Sequence, residues 1–377
     1  MTEKRTHLLG LTREELSAFA RAAGEPAYRG GQLYRWLYTR GATSFGAMTD
    51  LGKEFRGRLE AQAAIGGVLL RKLRRSERDG TTKFLFSLTD GLEVESVLIP
   101  PPPAPAGRPH KEEAGPGRLT LCVSTQAGCP LDCAFCATGT MGFQRNLTSG
   151  EIVDQMLSAR RQSATKITNV VFMGMGEPLL NYDAVMKAAD LLSDGAGIPP
   201  RRITVSTAGR VPEIRRMADE KRRFNLAVSL HSAVDATRSR LMPVNRKFSL
   251  GVLTEALEYY YRKTKQRISF EVIFFDGVND APADVRKLIA LARRLPSKIN
   301  IIPFHSIAFT NPGGFAASLE PSPRSAAIAE ELRKSHLTVT VRASSGEDID
   351  AACGQLALGG EASQGGRARR RVSAAAG

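Results

Sequence analysis

Long apolar runs are missing from this chain: nowhere do about 18 consecutive apolar residues occur, the number a helix needs to cross a bilayer. Met1 to Leu16 carries charges throughout, so the apolar stretch of a secretory leader is missing too. Membrane insertion and export are not expected, and a soluble cytoplasmic protein is. Cysteine is scarce and odd in number, five in 377 residues. Four of the five fall between Cys122 and Cys136, which argues against a disulfide-stapled scaffold and for a metal or redox centre. Acidic residues are outnumbered, 38 against 53 Lys and Arg, for a net charge of +15. The tail from Glu361 to Gly377 holds Arg367, Arg369, Arg370 and Arg371 against Glu361, so +3 of that charge is local and +12 stays on the body. Such a surplus favours a polyanionic partner such as RNA through counterion release. The length suits one α/β barrel-like domain with a smaller appendage.

What is there divides into five stretches. In residues 1–64, Leu33, Trp36 and Leu37 recur at helical spacing and Leu51, Phe55 and Leu59 repeat every four residues, predicting a small helical domain. Residues 65–99 read as a β-meander, with strands near Val68 to Leu73, Lys83 to Leu88 and Val94 to Ile99. Asp79-Gly80 and Asp90-Gly91 supply the tight turns between them. Residues 100–117, PPPPAPAGRPHKEEAGPG with Ile99 preceding, carry too much Pro and Gly for an element and read as a linker. From 118 to 358 seven apolar strands alternate with amphipathic helices, the first helix opening on a capping-box pair, Thr148 and Glu151. That alternation predicts a parallel sheet closed wholly or partly into a barrel, with function at the C-terminal strand ends. Residues 359–377 read as a disordered basic tail.

The motifs fall at those strand ends. Cys129, Cys133 and Cys136 form a C-x3-C-x2-C array just after the first barrel strand. Three clustered thiolates without a fourth close donor suit a [4Fe-4S] cluster with one open iron better than a structural zinc, which closes its tetrahedron. His231 or His305 could complete a zinc site from a distance, so that alternative stands. Alternation along Leu119 to Ser124 puts Cys122 on the polar face. Cys353 sits in a small-residue loop, Asp350-Ala351-Ala352-Cys353-Gly354. Gly174-Met175-Gly176-Glu177-Pro178 follows another strand and is too short for a dinucleotide fingerprint.

The C-x3-C-x2-C spacing, together with DIDAACGQLA at Asp348 to Ala357 and the helical N-terminus, resembles the RlmN and Cfr family of radical S-adenosylmethionine RNA methyltransferases over nearly the whole chain. The resemblance implies a partial (βα)6-type radical SAM barrel with a small N-terminal helical domain and a β-meander extension. It implies a [4Fe-4S] cluster on Cys129, Cys133 and Cys136, and S-adenosylmethionine, two per turnover, held by Gly176, Glu177, Ser206, Ser229, Leu230, His231 and His305. Cleavage of that cofactor yields a 5′-deoxyadenosyl radical, so the hard chemistry belongs to the cofactor. Cys353 is implied as the S-methylcysteine intermediate, Cys122 as the resolving cysteine of a transient disulfide with it, and Glu95 as proton acceptor, with Glu93 its rival on the same face. Without the resemblance, Cys122 would read as a small core residue and Glu95 as a solvated carboxylate.

The implied reaction is methylation of carbon 2 of a specific adenosine in 23S rRNA, with tRNA as a further substrate, by a monomer that receives electrons from a flavodoxin-type donor. The helical N-terminus would grip RNA around the extracted base. Carbon 8 methylation in the manner of Cfr is the nearest alternative, and a zinc-stabilised RNA-binding module without catalysis is the alternative from another class. One departure stands out: His305 occupies a position where the family usually carries asparagine.

Overall fold

Each apolar run predicted as a strand forms one, and the ten together make a single sheet in the computed structural model, which describes residues 5–101 and 117–358. The strands are β1 (Leu69–Arg75), β2 (Thr82–Ser87), β3 (Glu93–Ile99), β4 (Thr120–Cys122), β5 (Asn169–Phe172), β6 (Ile203–Thr207), β7 (Asn225–Ser229), β8 (Ile268–Val272), β9 (Ser297–Ile301) and β10 (Val339–Val341). They lie side by side in chain order. The first four pair antiparallel, and β4 to β10 are parallel throughout. Six helical crossovers join those seven parallel strands, as parallel neighbours require. The linear order, with β1 and β10 at its edges, is that of a partial barrel; the fold class is as expected. Most of the expected linker and the whole expected tail lie outside the described residues.

The alternation in each strand explains the layering. Outward residues such as Leu121, Val170, Phe172, Val205, Leu226, Val228, Phe270 and Ile299 are buried against the crossover helices. The opposite face carries Cys122, Asn169, Ser206, Ser269, Glu271 and Asn300 and lines the concave interior. Among the described residues, no helix is long and apolar enough to cross a membrane.

The N-terminal helices, Arg13–Ala22, Tyr28–Tyr34 continuing to Arg40 as a π turn, and Lys53–Gln62, match the helical reading. They do not stand apart from the barrel. Leu8, Leu16, Leu33, Leu37 and Phe55 belong to the same hydrophobic cluster as barrel residues such as Ile152, Val185 and Leu257. Tyr38 is wholly buried, and its hydroxyl accepts from Gly10 N at 2.9 Å and donates to Leu11 O at 2.7 Å. Thr39 Oγ1 donates to Gly195 O at 3.0 Å, and the Asp154 carboxylate accepts from the backbone N–H groups of Gly67 and Val68 at 3.1 and 3.0 Å. Removing the first 64 residues would therefore strip one wall from a shared core.

Tyr38→Phe leaves the Gly10 donor and the Leu11 acceptor unpaired in an apolar setting, at a cost of about 1–3 kcal/mol. A lowered denaturation midpoint at unchanged m-value checks this, and an unmoved midpoint contradicts it.

Candidate functional site

Three loops meet above the C-terminal ends of β4 to β7: the cysteine-rich loop after β4, the loop after β5, and the segment after β10. The first leaves β4 through Ser124, which is fully buried. Ser124 Oγ donates to Glu95 O at 2.5 Å and accepts from Met175 N at 2.9 Å. Gln155 braces the same turn: its Oε1 accepts from Ser124 N (3.0 Å) and Ser96 Oγ (2.7 Å), and its Nε2 donates to Ser124 O (3.0 Å). A short antiparallel ribbon, Gln126–Gly128 with Phe143–Asn146, then frames the cysteines. Gly128 has φ of +76°, and a Cβ there would lie 1.8 Å from Gly142 O, so only glycine lets the ribbon close.

Cys129, Cys133 and Cys136 are half-buried free thiols. Burial pushes the Cys129 thiol up to about 12, and burial together with Cys136 and Cys129 pushes Cys133 well above the ordinary thiol range. Three sulfurs thus converge closely enough to oppose one another's ionisation. Three thiols with no fourth protein donor beside them among the described residues leave a structural zinc one ligand short, whereas a [4Fe-4S] cluster on three cysteines keeps one iron open. The donor set fits the cluster.

The segment after β10 folds back onto this loop. Ala137 N donates to Gly354 O at 2.7 Å, and Thr138 Oγ1 donates to Leu356 O at 2.6 Å. Cys353, directly before Gly354, is exposed, yet the surrounding protein raises its thiol, while the cation of Arg342 pulls the other way. Cys122 is buried at the end of β4, and its thiol is pushed up to about 12, by burial first and then by Cys353. The two are neighbours and both are free thiols here.

Glu95 differs from the solvated carboxylate its strand position alone suggests. It is 2% exposed, and Lys83 Nζ lies 3.2 Å from Oε1, while Oε2 accepts from Ala357 N and Leu358 N at 3.1 and 3.3 Å. Lys83 Nζ also donates to Asp350 O at 3.1 Å. Burial raises the Glu95 pKa, and Lys83 opposes that rise. Glu93 is half-buried at the strand start.

After β5, Gly176 has φ of +99°, and a Cβ there would lie 2.5 Å from the Cβ of Gln126, so glycine is required on both counts. Glu177 N donates to Gln126 Oε1 at 2.8 Å, and the buried carboxylate accepts from Leu179 N (3.1 Å) and Ala208 N (2.7 Å). Desolvation, offset by Ala208 N–H, pushes Glu177 up to about 7. Ser206 is the last residue but one of β6 and Ser229 ends β7, with Leu230 and His231 following. His231 has φ of +54°, packs its ring 4.3 Å from that of Phe135, and accepts from Ile273 N at Nδ1 (3.2 Å). Burial, with Arg238 nearby, pushes it down to about 3, so it is neutral. His305 is buried beyond β9, its Nδ1 3.6 Å from Glu347 Oε1.

Two groups escaped the sequence reading. Arg238 is wholly buried and donates to Ala208 O, Ser229 O, Leu230 O and Asn245 Oδ1 at 2.6–3.1 Å, tying together the ends of β6 and β7. Nothing local in Thr237-Arg238-Ser239-Arg240 sets it apart. Arg342, beside Cys122 and Cys353, pairs with Glu271 at 3.1 Å, and Asn300 Nδ2 donates to Glu271 at 2.8 Å. The alternation of β8 to β10, which points all three inward, was the available signal.

Comparison with known proteins places these features. Residues 6–65 match the family described as ribosomal RNA large subunit methyltransferase N-terminal domain, and residues 123–291 match the radical SAM superfamily. The chain is 42% identical over 95% of its length to a probable dual-specificity RNA methyltransferase RlmN of Flavobacterium johnsoniae, covering 98% of that protein. It is 44% identical over 92% of its length to a dual-specificity RNA methyltransferase RlmN of Geobacter sulfurreducens, covering 91% of it. A crystal structure of a radical SAM methyltransferase from Sphaerobacter thermophilus superposes with a TM-score of 0.83 at 39% identity, over 94% of this chain and all of that one.

Arg238→Leu leaves three backbone carbonyls and Asn245 without their donor, and a loss of at least about 2 kcal/mol in thermal or chemical unfolding is expected. Glu177 titrates near 7 folded against 4.5 unfolded, so the fold keeps its proton where the unfolded chain has lost it. Its contribution to stability accordingly declines as pH rises from about 4.5 to 7. Urea titrations of the metal-free protein should show a shallower decline for Glu177→Gln; identical slopes contradict the assignment.

Proposed function

The chain belongs to the RlmN family of radical SAM methyltransferases, and on that premise we propose that it methylates carbon 2 of an adenosine in 23S ribosomal RNA. The observation that carries the reading is the seating of the Cys353 loop on the cysteine-rich loop, through Ala137 N to Gly354 O, with Glu95 bound to the same segment. An RNA-binding module without catalysis needs none of these contacts. The words dual-specificity in the relatives' names support a second RNA substrate, for which we propose tRNA.

Cys129, Cys133 and Cys136 would hold the [4Fe-4S] cluster that the family uses. Gly176, Glu177, Ser206, Ser229, Leu230, His231 and His305 would hold S-adenosylmethionine. When bound, these groups supply reductive bond cleavage and the methyl carbon. The remaining work falls to the chain. Glu177, already braced by two N–H donors, offers its carboxylate to an ammonium group. Neutral His231 and the Ser229 hydroxyl offer hydrogen bonds without adding charge, and His305 would act where relatives usually present an amide. Cys353, exposed at the loop tip, carries the methyl group and joins the base. Cys122, its buried neighbour, releases the product by forming a disulfide with it. Glu95 takes the proton from the substituted carbon; burial raises its affinity for that proton, and Lys83 stabilises the carboxylate before it arrives. For Oε2 to reach the base, the N–H groups of Ala357 and Leu358 must give way. Electrons come from a flavodoxin-type donor, and the protein acts as a monomer in the cytoplasm.

Reconstituted protein incubated anaerobically with a 23S RNA fragment, dithionite and methyl-labelled S-adenosylmethionine should yield labelled 2-methyladenosine by nucleoside mass spectrometry. Labelled 8-methyladenosine would instead place the chain with Cfr in regiochemistry, and unmodified RNA despite cofactor cleavage would refute the substrate. Cys353→Ala should abolish RNA methylation while keeping its iron. Cys122→Ala should leave a protein–RNA adduct that survives denaturing electrophoresis.

A further inference from the structure

The loop that carries Cys129, Cys133 and Cys136 has a second neighbour besides the Cys353 segment. After β7 the chain forms a short helix, Asp235–Leu241, and a turn, Pro243–Arg246, and Leu241 O accepts from Ala134 N at 2.9 Å. Leu241, Met242 and Val244 are buried, with Cys133, Ala134 and Phe135 packed against their cluster. One helix, about 10–12 Å thick with its side chains, therefore covers the middle of the cysteine loop. The other side of this segment is cationic. Arg240, Arg246 and Lys247 are exposed, and no acidic residue occurs between Asp235 and Glu255. Among the described residues none of the three forms an ion pair: Arg240 lies over the ring of Phe315 at 4.2 Å, and Lys247 lies 5.8 Å from that of Phe248. Asp235 is engaged within the segment, its carboxylate accepting from Asn245 Nδ2 and Leu250 N at 2.9 Å. Even with the exposed Asp132 of the cysteine loop counted, cations prevail.

From this placement we propose that the surface formed by Arg240, Arg246 and Lys247 is where an acidic, flavin-bearing electron-transfer protein docks to reduce the cluster. The inference rests on the cluster and the donor proposed above and adds the surface at which they would meet. One electron leaves the donor's reduced flavin and enters the cluster; no bond is made or broken, and no atom is transferred. Charge complementarity selects this partner. A patch of one sign gathers and orients an oppositely charged protein and speeds its arrival, which suits a carrier that delivers an electron and leaves. RNA is an anion too, but it is needed elsewhere. Glu95 lies on β3, and β7, from which this helix departs, is four strands further along the sheet, about 19 Å at the usual spacing. The Cys353 segment meets the cysteine loop at Ala137 and Thr138, past the last cysteine, whereas this helix meets it at Ala134, between the second and third. Donor and RNA can thus occupy one enzyme molecule together.

The test compares Arg246→Glu/Lys247→Glu with Arg286→Glu/Lys287→Glu, an equal charge reversal at exposed positions of the outer crossover helix Pro282–Ala292. Both are made in the full chain with its cluster loaded, iron content serving as the check on folding. The probe is a bacterial flavodoxin. Its binding is read by titration calorimetry, and RNA methylation is driven either by reduced flavodoxin or by dithionite, which needs no docking surface. For the first pair, flavodoxin affinity should fall by about tenfold at low salt, the gap closing as salt rises. Methylation driven by sub-saturating flavodoxin should fall with it, while dithionite-driven methylation and the KM for RNA stay at wild-type level. The control pair should match the wild type throughout. If the first pair loses iron, Arg240→Gln, which removes one charge and leaves the stem over Phe315, takes its place, with a smaller fall in the same direction. Wild-type flavodoxin affinity in the first pair, equal losses in both pairs, or a raised KM for RNA under dithionite would each overturn the docking surface, the last by giving the patch to RNA. If dithionite drives methylation in the wild type and flavodoxin neither binds nor drives it, the donor is wrong and the surface falls with it. If dithionite drives none, the proposed function itself has failed.

Discussion

Taking a carboxylate out of water costs several kcal/mol unless charge and hydrogen bonds replace the solvent, and the whole site is arranged around that requirement at Glu95. Its replacements come from two places: Lys83 from the next strand, and the N–H groups of Ala357 and Leu358 from the far end of the described residues. Lys83 reaches on to Asp350 O, so one ammonium fixes both the carboxylate and the loop that presents Cys353. Ser124 fixes the Glu95 backbone to the strand that leads into the cysteines. Remove the carboxylate and an ammonium is left buried among groups that no longer oppose it.

The same economy of buried charge recurs on the cofactor side. Arg238 spends no contact on a carboxylate; its guanidinium is distributed over backbone carbonyls at the ends of two strands, which suits a planar fork with five donors. Glu177 mirrors it with a carboxylate distributed over backbone N–H groups. Each shapes the wall by gripping main chain, so Ser206, Ser229 and His231, the side chains proposed to hold the cofactor, sit on a frame tied by backbone contacts. The inward pair Arg342 and Glu271 does for the cysteines what these do for the cofactor side, setting a cation beside two thiols.

Strands and crossover helices were legible because burial on one face imposes a period on the sequence; even the Thr148 and Glu151 capping box appears as read. The cysteine array was legible because its three members are close in sequence. Glu95 was misread from local pattern, since the partners that allow its burial lie on another strand and some 260 residues away. Arg238 was invisible for a related reason: its acceptors are carbonyls, and every residue has one. The boundary at residue 64 was legible as a change in pattern, yet packing ignores it, with Leu33 and Leu257 in one cluster.

Because neighbours in the sheet are neighbours in the chain, the fold can be laid down strand by strand as a nascent polypeptide emerges, without any strand waiting for a distant partner. The exception is the latch on Glu95, whose last two donors come from Ala357 and Leu358. Cys353 and those two donors follow all ten strands in the chain, so the latch can close only after the sheet has been made. A chain that stops short of Ala357 can thus hold the whole sheet and still leave the Glu95 carboxylate without two of the donors that replace its water.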